Sequence, residues 1–384
     1  MNPARLDTLL LWLWLALLAV GLIAVTSASM ELAASRHGDA FHHLWRHGVY
    51  LVLAAAVFLG VVSVSISSWA HLDRACLVLA VALLALVLVP GLGREVNGSL
   101  RWIAVGPISL QPSEPVRFLL VIYLAGYVAR HQDIITTRLM GLLRPLAWLS
   151  IPSVLLLAQP DLGSVVVIMA AAVALLFLSG ARVLHLLLLT AVALGSLVAL
   201  ISMRDYRTAR LQAFLDPWAP DVQFGSGYQL TQALIAFGRG EWFGVGLGEG
   251  LQKLFYLPEA HTDFIFAVIA EETGVLGALL LCAALLAVTL RGLWHGRMAQ
   301  RRGATMAAGV AYGAALMLGI QTLISLGVNT GLLPTKGLTL PLVSYGGNSL
   351  IISSALVALL VRVAWENAGH AEHPRRARQR EVLA

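Results

Sequence analysis

The sequence predicts an all-α, polytopic integral membrane protein with about ten transmembrane helices and one large extracytoplasmic loop between spans seven and eight. Three observations carry that prediction. Hydrophobic residues make up 59% of the 384-residue chain and charged residues only 12%, with a mean hydropathy of +0.82; no soluble globular protein of this length needs such a composition. Apolar windows of about 19 residues recur along the chain. Lys and Arg are distributed unequally between alternate loops.

The apolar windows lie near residues 8–29, 47–66, 74–92, 113–130, 145–159, 163–180, 183–202, 263–290, 304–329 and 341–363. The first is too long, and too firmly part of a series, to be a cleaved leader. The fifth is short and starts after Pro145. An even number of spans puts both termini on one side. With the N-terminus inside, the inner segments carry Arg5, Arg74, Arg130, Arg138, Arg144, Arg182, Arg291, Arg297, Arg301, Arg302, Arg362 and the Arg375–Arg380 cluster, whereas the short outer loops carry only Arg36, Arg46, Arg94, Arg101 and Lys336. That asymmetry follows the positive-inside rule. The chain reads as one membrane domain, with a core over about 8–365 and a basic cytoplasmic tail at 366–384 that anionic lipid would attract. The pI of 9.7 does not point to nucleic acid, because the charge is dispersed over loops. Cys76 and Cys282 fall within spans, where they read as small packing residues rather than a disulfide framework.

The chemistry concentrates on the outer side. Asp263 stands where a polar loop turns into the eighth span, with His261 just before it and Glu271 and Glu272 buried behind it. A carboxylate at the mouth of a membrane helix is costly to desolvate and is a functional candidate by default. The loop between spans three and four holds the turn signal Asn97-Gly98, then Arg101 and Trp102, and Val105 to Leu110 as a short re-entrant or interfacial element. Trp102 beside Arg101 reads equally as an interfacial anchor or as part of a site. Arg117 lies one turn inside the fourth span, three residues after Glu114. A cation at that depth needs a partner, either Glu114 on its own helix face or Asp263 across two spans. Asp161 reads first as an N-cap.

The long loop from about 203 to 262 carries Arg204, Arg207 and Arg210 next to a span end, suited to holding a pyrophosphate. Tyr228 to Phe237 reads as an amphipathic helix with Gln229 on its polar side. Six glycines then fall between Gly238 and Gly250, and Gly246 and Gly248 are candidates for close backbone approach to a ligand. No strand precedes this run, so it is not a dinucleotide fingerprint. The last outer loop, from Asn329 to Ser349, adds Lys336, Ser344 and Tyr345, and its Gly and Pro content indicates irregular backbone lining a cavity. No metal-ligand spacing surrounds His261, and no nucleophile elbow is present. The residues alone support a carboxylate acting on an anionic, phosphate-bearing lipid.

Asn97-Gly-Ser with Arg101-Trp-Ile, Gln111-Pro-Ser-Glu, Gln159-Pro-Asp-Leu-Gly, Gly244-Val-Gly-Leu-Gly, Pro258-Glu-Ala-His-Thr-Asp-Phe and Ser344-Tyr-Gly-Gly resemble the SEDS family of shape, elongation, division and sporulation proteins. The resemblance runs from the first span to about residue 365. Pro334-Thr-Lys-Gly-Leu-Thr gives it the character of the cell-division branch. The resemblance implies an inverting peptidoglycan glycosyltransferase that joins lipid II units by β-1,4 bonds, releases undecaprenyl pyrophosphate and works at the septum. It makes Asp263 the catalytic acidic position, with Arg117 beside it. It implies substrate contacts from Arg101, Trp102, Glu114, Arg204, Arg207, Arg210, Gln229, Gly246, Gly248, His261, Lys336, Ser344 and Tyr345. It also implies a divalent cation (Mg2+ or Mn2+) sharing the leaving-group charge, no organic cofactor, and as partners a class B penicillin-binding protein transpeptidase and other divisome membrane proteins. Where the family usually has Lys, this chain has Arg117, which suits an ion pair better than a proton relay. Two other readings stand beside the enzyme. One is a lipid II flippase, which would need a polar path open to both faces. The other is a division scaffold, which would not need Asp263.

Overall fold

The computed structural model describes residues 6–96, 99–105, 108–202, 212, 214–220, 222–335 and 337–382. Every predicted span is a helix: α1 (Thr8–His37), α2 (His42–Ser63), α3 (Ile66–Val87), α4 (Ser113–Thr137), α5 (Met140–Ala158), α6 (Leu162–Leu178), α7 (Val183–Ser202), and, after the amphipathic α8 (Tyr228–Gly240), α9 (Ile265–Arg301), α10 (Thr305–Asn329) and α11 (Gly347–Val382). Among the described residues eight helices are long and apolar enough to cross a membrane, and α6 with the described part of α7 adds two shorter apolar ones. The chain is an all-α membrane protein.

Helix ends depart from the apolar windows where polar helix formers extend them. α1 continues through Met30 to His37, with Arg36 and His37 in its last turn and Gly38 closing it at φ 70°, the usual left-handed stop. α2 starts at His42, five residues before its apolar window. α5 starts at Met140 and carries Pro145 and Pro152 within it. α11 continues past the predicted span to Val382, so the basic tail extends a membrane helix. The loop between α3 and α4, where Val105 to Leu110 is expected as a short re-entrant or interfacial element, holds an antiparallel sheet of β1 (Gly93–Val96), β2 (Ser99–Val105) and β3 (Ile108–Leu110), with Arg94 opposite Trp102 and Ile103 opposite Leu110. In lipid an open sheet edge is untenable; here the sheet sits at one end of the bundle, against the end of α3.

Burial sorts the helices into a centre and a rim. Within its apolar window 78% of α10 and of α11 is buried, 61% of α4, and only 28% of α2 and α3. Helix packing in lipid is tightest where small residues face a neighbour. A Cβ on Gly309 of α10 would lie 2.9 Å from the Ala125 Cα of α4, and one on Gly313 would lie 2.9 Å from Val121 Cγ1. At the opposite end from the sheet, Asp7 accepts from Arg291 Nε at 2.7 Å and stands 2.5 Å from His295 Nε2, tying the N-terminus to α9. Asn367 of α11 donates to the His295 carbonyl at 3.0 Å.

Candidate functional site

A cavity of about 680 Å³ opens at the sheet end of the bundle. Its wall is assembled from distant stretches of chain. His43, Arg46 and Tyr50 come from α2; Arg94, Arg101, Trp102 and Ser109 from the sheet; Glu114 from α4; Asp161 and Gly163 from the start of α6; Glu259, Thr262 and Asp263 from the turn before α9; Thr335, Gly337, Thr339 and Tyr345 from the irregular run before α11; and Asn348 from the first turn of α11. Carboxylates and guanidinium groups therefore face one another across a space large enough for a substantial ligand.

Asp263 ends a tight turn, and its backbone is fixed from outside. Thr262 Oγ1 donates to Glu259 Oε2 at 2.8 Å, and the Phe264 N–H reaches the Glu259 carbonyl at 3.3 Å. The His261 carbonyl accepts the Tyr345 N–H at 2.9 Å. The Asp263 carbonyl accepts from Asn329 Nδ2 at 2.8 Å, and Asn329 Oδ1 accepts the Ala267 N–H at 3.2 Å. A Cβ on Gly337 would stand 3.0 Å from Asp263 Oδ2, so the carboxylate occupies room that only glycine leaves at that position.

Below the cavity floor lies a connected polar network inside the membrane domain. The guanidinium of Arg117, 2% exposed, ion-pairs with Glu114 at 3.1 Å and donates to Gln321 Oε1 at 2.8 Å and to Ser164 Oγ at 2.9 Å. Ser164 Oγ donates to Asp161 Oδ2 at 2.7 Å, and Asp161 Oδ1 accepts the Ser164 N–H at 3.1 Å. Gln321 donates to the Thr339 carbonyl at 3.0 Å. The expected Arg117–Asp263 pair is thus corrected. Glu114 lies one helical turn away on the same face and takes the charge, and Gln321 and Ser164 accept from Nη1 and Nη2, while Nε is buried without a hydrogen-bond partner. Asp161 is the N-cap that the sequence suggests, and it also lines the cavity.

Other candidates divide in the same way. Arg101 and Trp102 line the cavity; Arg101 also donates through Nε to the Gln159 carbonyl at 3.0 Å and through Nη2 to the Pro160 carbonyl, pinning the sheet to the α5–α6 turn. Tyr345 lines the cavity, with its ring 5.2 Å from that of His43 and 5.5 Å from that of His261. Burial pushes the Tyr345 hydroxyl up and the His261 imidazole down from their ordinary values. His261 packs behind the wall rather than on it. Ser344 is buried and turns inward to accept the Leu340 N–H at 2.8 Å, a backbone-shaping role. Gln229, half-buried on α8, is away from the cavity. Arg204, Arg207, Arg210 and Lys336 lie outside the described residues.

The glycine-rich run is also corrected. Its backbone packs on α9, which breaks at Gly274 (φ 69°, ψ −171°). The Val245 and Gly246 N–H groups donate to the Glu271 and Glu272 carbonyls at 3.0 and 3.1 Å, and the Val275 N–H returns to the Glu241 carbonyl at 2.9 Å. A Cβ on Gly244 would meet the Glu272 carbonyl at 2.1 Å. Gly246 therefore serves a backbone-to-backbone contact away from the cavity, whereas Gly248 (φ 88°) has open space where a Cβ would stand and also lies away from the cavity. Glu271 accepts the Leu251 N–H at 3.0 Å and meets Arg239 at 3.4 Å; Glu272 pairs with Lys253 at 2.6 Å.

Sequence reasoning left out His43 and Tyr50 and noted Arg46 and Arg94 only for their charge. The spacing 43–46–50 is a helical signal, but the apolar window starts at residue 47, which leaves His43 and Arg46 outside it, and Tyr50 inside it reads as an ordinary span residue. Asn329 was read as loop, although it closes α10. Among the described residues no group of three or more His, Cys, Asp or Glu converges as a metal ion requires.

Residues 7–369 match the family described as Cell cycle protein, the FtsW/RodA/SpoVE family. The chain is 50% identical over 360 residues to a Nitrosococcus halophilus protein named as a probable peptidoglycan glycosyltransferase FtsW, covering 94% of this chain and 92% of that one. It is 49% identical over 356 residues to the Pseudomonas fluorescens protein of the same name, covering 93% and 87%. Among solved structures it resembles a chain of a peptidoglycan synthase complex (TM-score 0.74, 30% identity, 94% of this chain and 98% of that one) and the Thermus thermophilus rod shape determining protein RodA (TM-score 0.69, 29% identity, 95% and 98%). Matched over nearly its whole length in both sequence and structure, the chain belongs to the FtsW/RodA/SpoVE family of cell cycle proteins.

Proposed function

We propose that the chain is a peptidoglycan glycosyltransferase that polymerises lipid II, the undecaprenyl-pyrophosphate-linked disaccharide peptide, into β-1,4 glycan strands during septal wall synthesis. The observation that carries this reading is that Asp263 shares one cavity with Arg46, Arg94 and Arg101. Joining two sugars with loss of pyrophosphate needs both kinds of group. Asp263 takes the proton from the acceptor hydroxyl, whose oxygen attacks the donor anomeric carbon from the face opposite the leaving group. The anomeric C–O bond breaks, undecaprenyl pyrophosphate departs with the bonding electrons, and the configuration at that carbon inverts. The guanidinium groups meet the charge that grows on the pyrophosphate oxygens. Arg204, Arg207, Arg210 and Lys336 belong to the same proposal through sequence alone.

The orientation set by Lys and Arg puts both termini in the cytoplasm and the cavity on the outer face of the inner membrane. A class B penicillin-binding protein and other divisome membrane proteins are the partners this reading carries. Among the described residues no three His, Cys, Asp or Glu side chains converge to hold a metal by themselves; an Mg2+ or Mn2+ ion would be carried mainly by the pyrophosphate, neutralising part of its charge.

The test is lipid II polymerisation by purified Asp263→Asn protein. The change keeps the shape and removes the base, so glycan synthesis should fall by roughly two to four orders of magnitude. Near-normal glycan from a folded variant would overturn the reading and return the scaffold and the flippase to consideration.

A further inference from the structure

Asn329 stands at the last position of α10, fully buried, 62 residues beyond Ala267 in sequence but beside the mouth of α9. In a regular helix the Ala267 N–H would bond directly to the carbonyl four residues back, which is that of Asp263. Here the Ala267 N–H turns to the Phe264 carbonyl at 3.0 Å, and Asn329 spans the remaining gap between that N–H and the Asp263 carbonyl. Asn329 Nδ2 donates to the Asp263 carbonyl at 2.8 Å and to the Ser325 carbonyl at 2.9 Å, while Oδ1 accepts the Ala267 N–H at 3.2 Å. Two carbonyls on one side and an N–H on the other fix which end of the amide is which. Phe264, between the two bridged residues, has φ −112° and ψ 20°, outside helical geometry.

We infer that Asn329 is a positioning residue: its side-chain amide stands in for one backbone hydrogen bond of α9, holding the turn open so that Asp263 projects into the cavity instead of winding into the helix. The physical reason is that buried backbone groups at a membrane helix end need partners. With the amide present, the Asp263 carbonyl and the Ala267 N–H are satisfied while the turn stays open. Without it, the Asp263 carbonyl loses this donor and the Ala267 N–H keeps its bond to the Phe264 carbonyl alone, so nothing from α10 opposes the helix winding back by one turn and carrying the carboxylate away. The inference rests on Asp263 being the base, and Asn329 acts only through it.

The experiment is steady-state polymerisation of lipid II by the full chain carrying Asn329→Leu or Asn329→Asp, with Asp263→Asn run in parallel. The leucine removes both halves of the bridge; the aspartate keeps an acceptor for Ala267 and loses the amide donor to Asp263. Both should lower kcat by roughly 10- to 100-fold, the scale of an ångström-level displacement of a reacting group. KM should stay within about threefold. The Tm of Asn329→Asp should stay within about 4 °C of the unmodified protein, separating positioning from unfolding. If Asn329→Leu does not fold, Asn329→Asp decides. Loss of kcat with KM kept supports the inference. A kcat within about twofold of the unmodified protein in a folded variant, or an effect on KM alone, overturns it. Asp263→Asn distinguishes the two failures: an active Asp263→Asn protein removes the base itself, whereas an inactive one beside fully active Asn329 variants removes only the positioning role.

Discussion

Arg117 and Glu114 form a buried ion pair at 3.1 Å on one face of α4, and the cavity acid Asp263 takes no part in it. Gln321 and Ser164 accept from its Nη1 and Nη2. The pair therefore holds Glu114, a cavity-lining carboxylate, from below. Removing the cation leaves a buried carboxylate without its counter-charge. Arg117→Ala should destabilise the protein by about 3–5 kcal/mol. The double change Arg117→Gln with Glu114→Gln, which removes both charges, should recover most of that loss. Thermal unfolding in detergent checks both. Arg117→Lys keeps the charge and one bond to Glu114 and should retain substantial polymerisation activity. A single Arg117→Ala change as stable as the parent would remove the structural role.

Gly337 gives the Asp263 carboxylate its space. A methyl group there would approach Oδ2 to 3.0 Å, tight enough that the side chain must shift. Gly337→Ala should lower kcat by roughly tenfold through misplacement of the carboxylate, with a Tm change of no more than about 4 °C. Kinetics at saturating lipid II, together with a melting curve, would reveal either outcome; unchanged kcat would mean that the carboxylate relaxes without consequence.

The glycine-rich run offers a contrast between two of its contacts. Gly274 combines φ 69° with backbone atoms of Trp242 and Gly244 at about 2.5 Å from an added Cβ. Gly248 has φ 88° but open space around it. Gly274→Ala should cost more than about 3 kcal/mol, and Gly248→Ala about 1 kcal/mol with activity kept. A Gly248→Ala protein that is stable but inactive would restore the ligand-contact role that the sequence suggested.

His261 is held neutral by burial, with its imidazole pulled below the ordinary value near 6.5. The unfolded chain therefore binds a proton at this residue more readily than the folded one. Stability from this residue is fully present above about pH 6.5 and is lost as pH falls below it. The Tm of the parent should decline between about pH 6.5 and 5, and the decline should be shallower in His261→Gln. Equal slopes in the two proteins would show that other groups govern acid sensitivity.

The sequence alone determined the membrane class, the order of the helices and the end of the bundle where the chemistry gathers. These rest on composition, apolar length and charge asymmetry, which are local or summed properties and need no contact map. It also determined that Asp263 lies at a helix mouth and that Asp161 caps α6, because both follow from a few adjacent residues. What it left undecided are relations between distant segments. Arg117 had two carboxylates within plausible reach, and only the packing of α4 against α6 and α10 chose Glu114 and supplied Ser164 and Gln321. The glycines between Gly238 and Gly250 announce close backbone approach, but glycine does not say to what; the break at Gly274 made the partner a helix of the same chain. His43 and Arg46 fell outside the second span because a hydropathy window ends where the apolar residues end, while the helix continues beyond it; Tyr50, inside that window, carries no local sign that separates a cavity wall from ordinary packing. Asn329 carried no local signal, since the backbone hydrogen bond it stands in for belongs to another helix. Tertiary structure decided these points because a buried polar group must find its partner in space, and in this bundle that partner comes from across the membrane domain rather than from the next turn of chain.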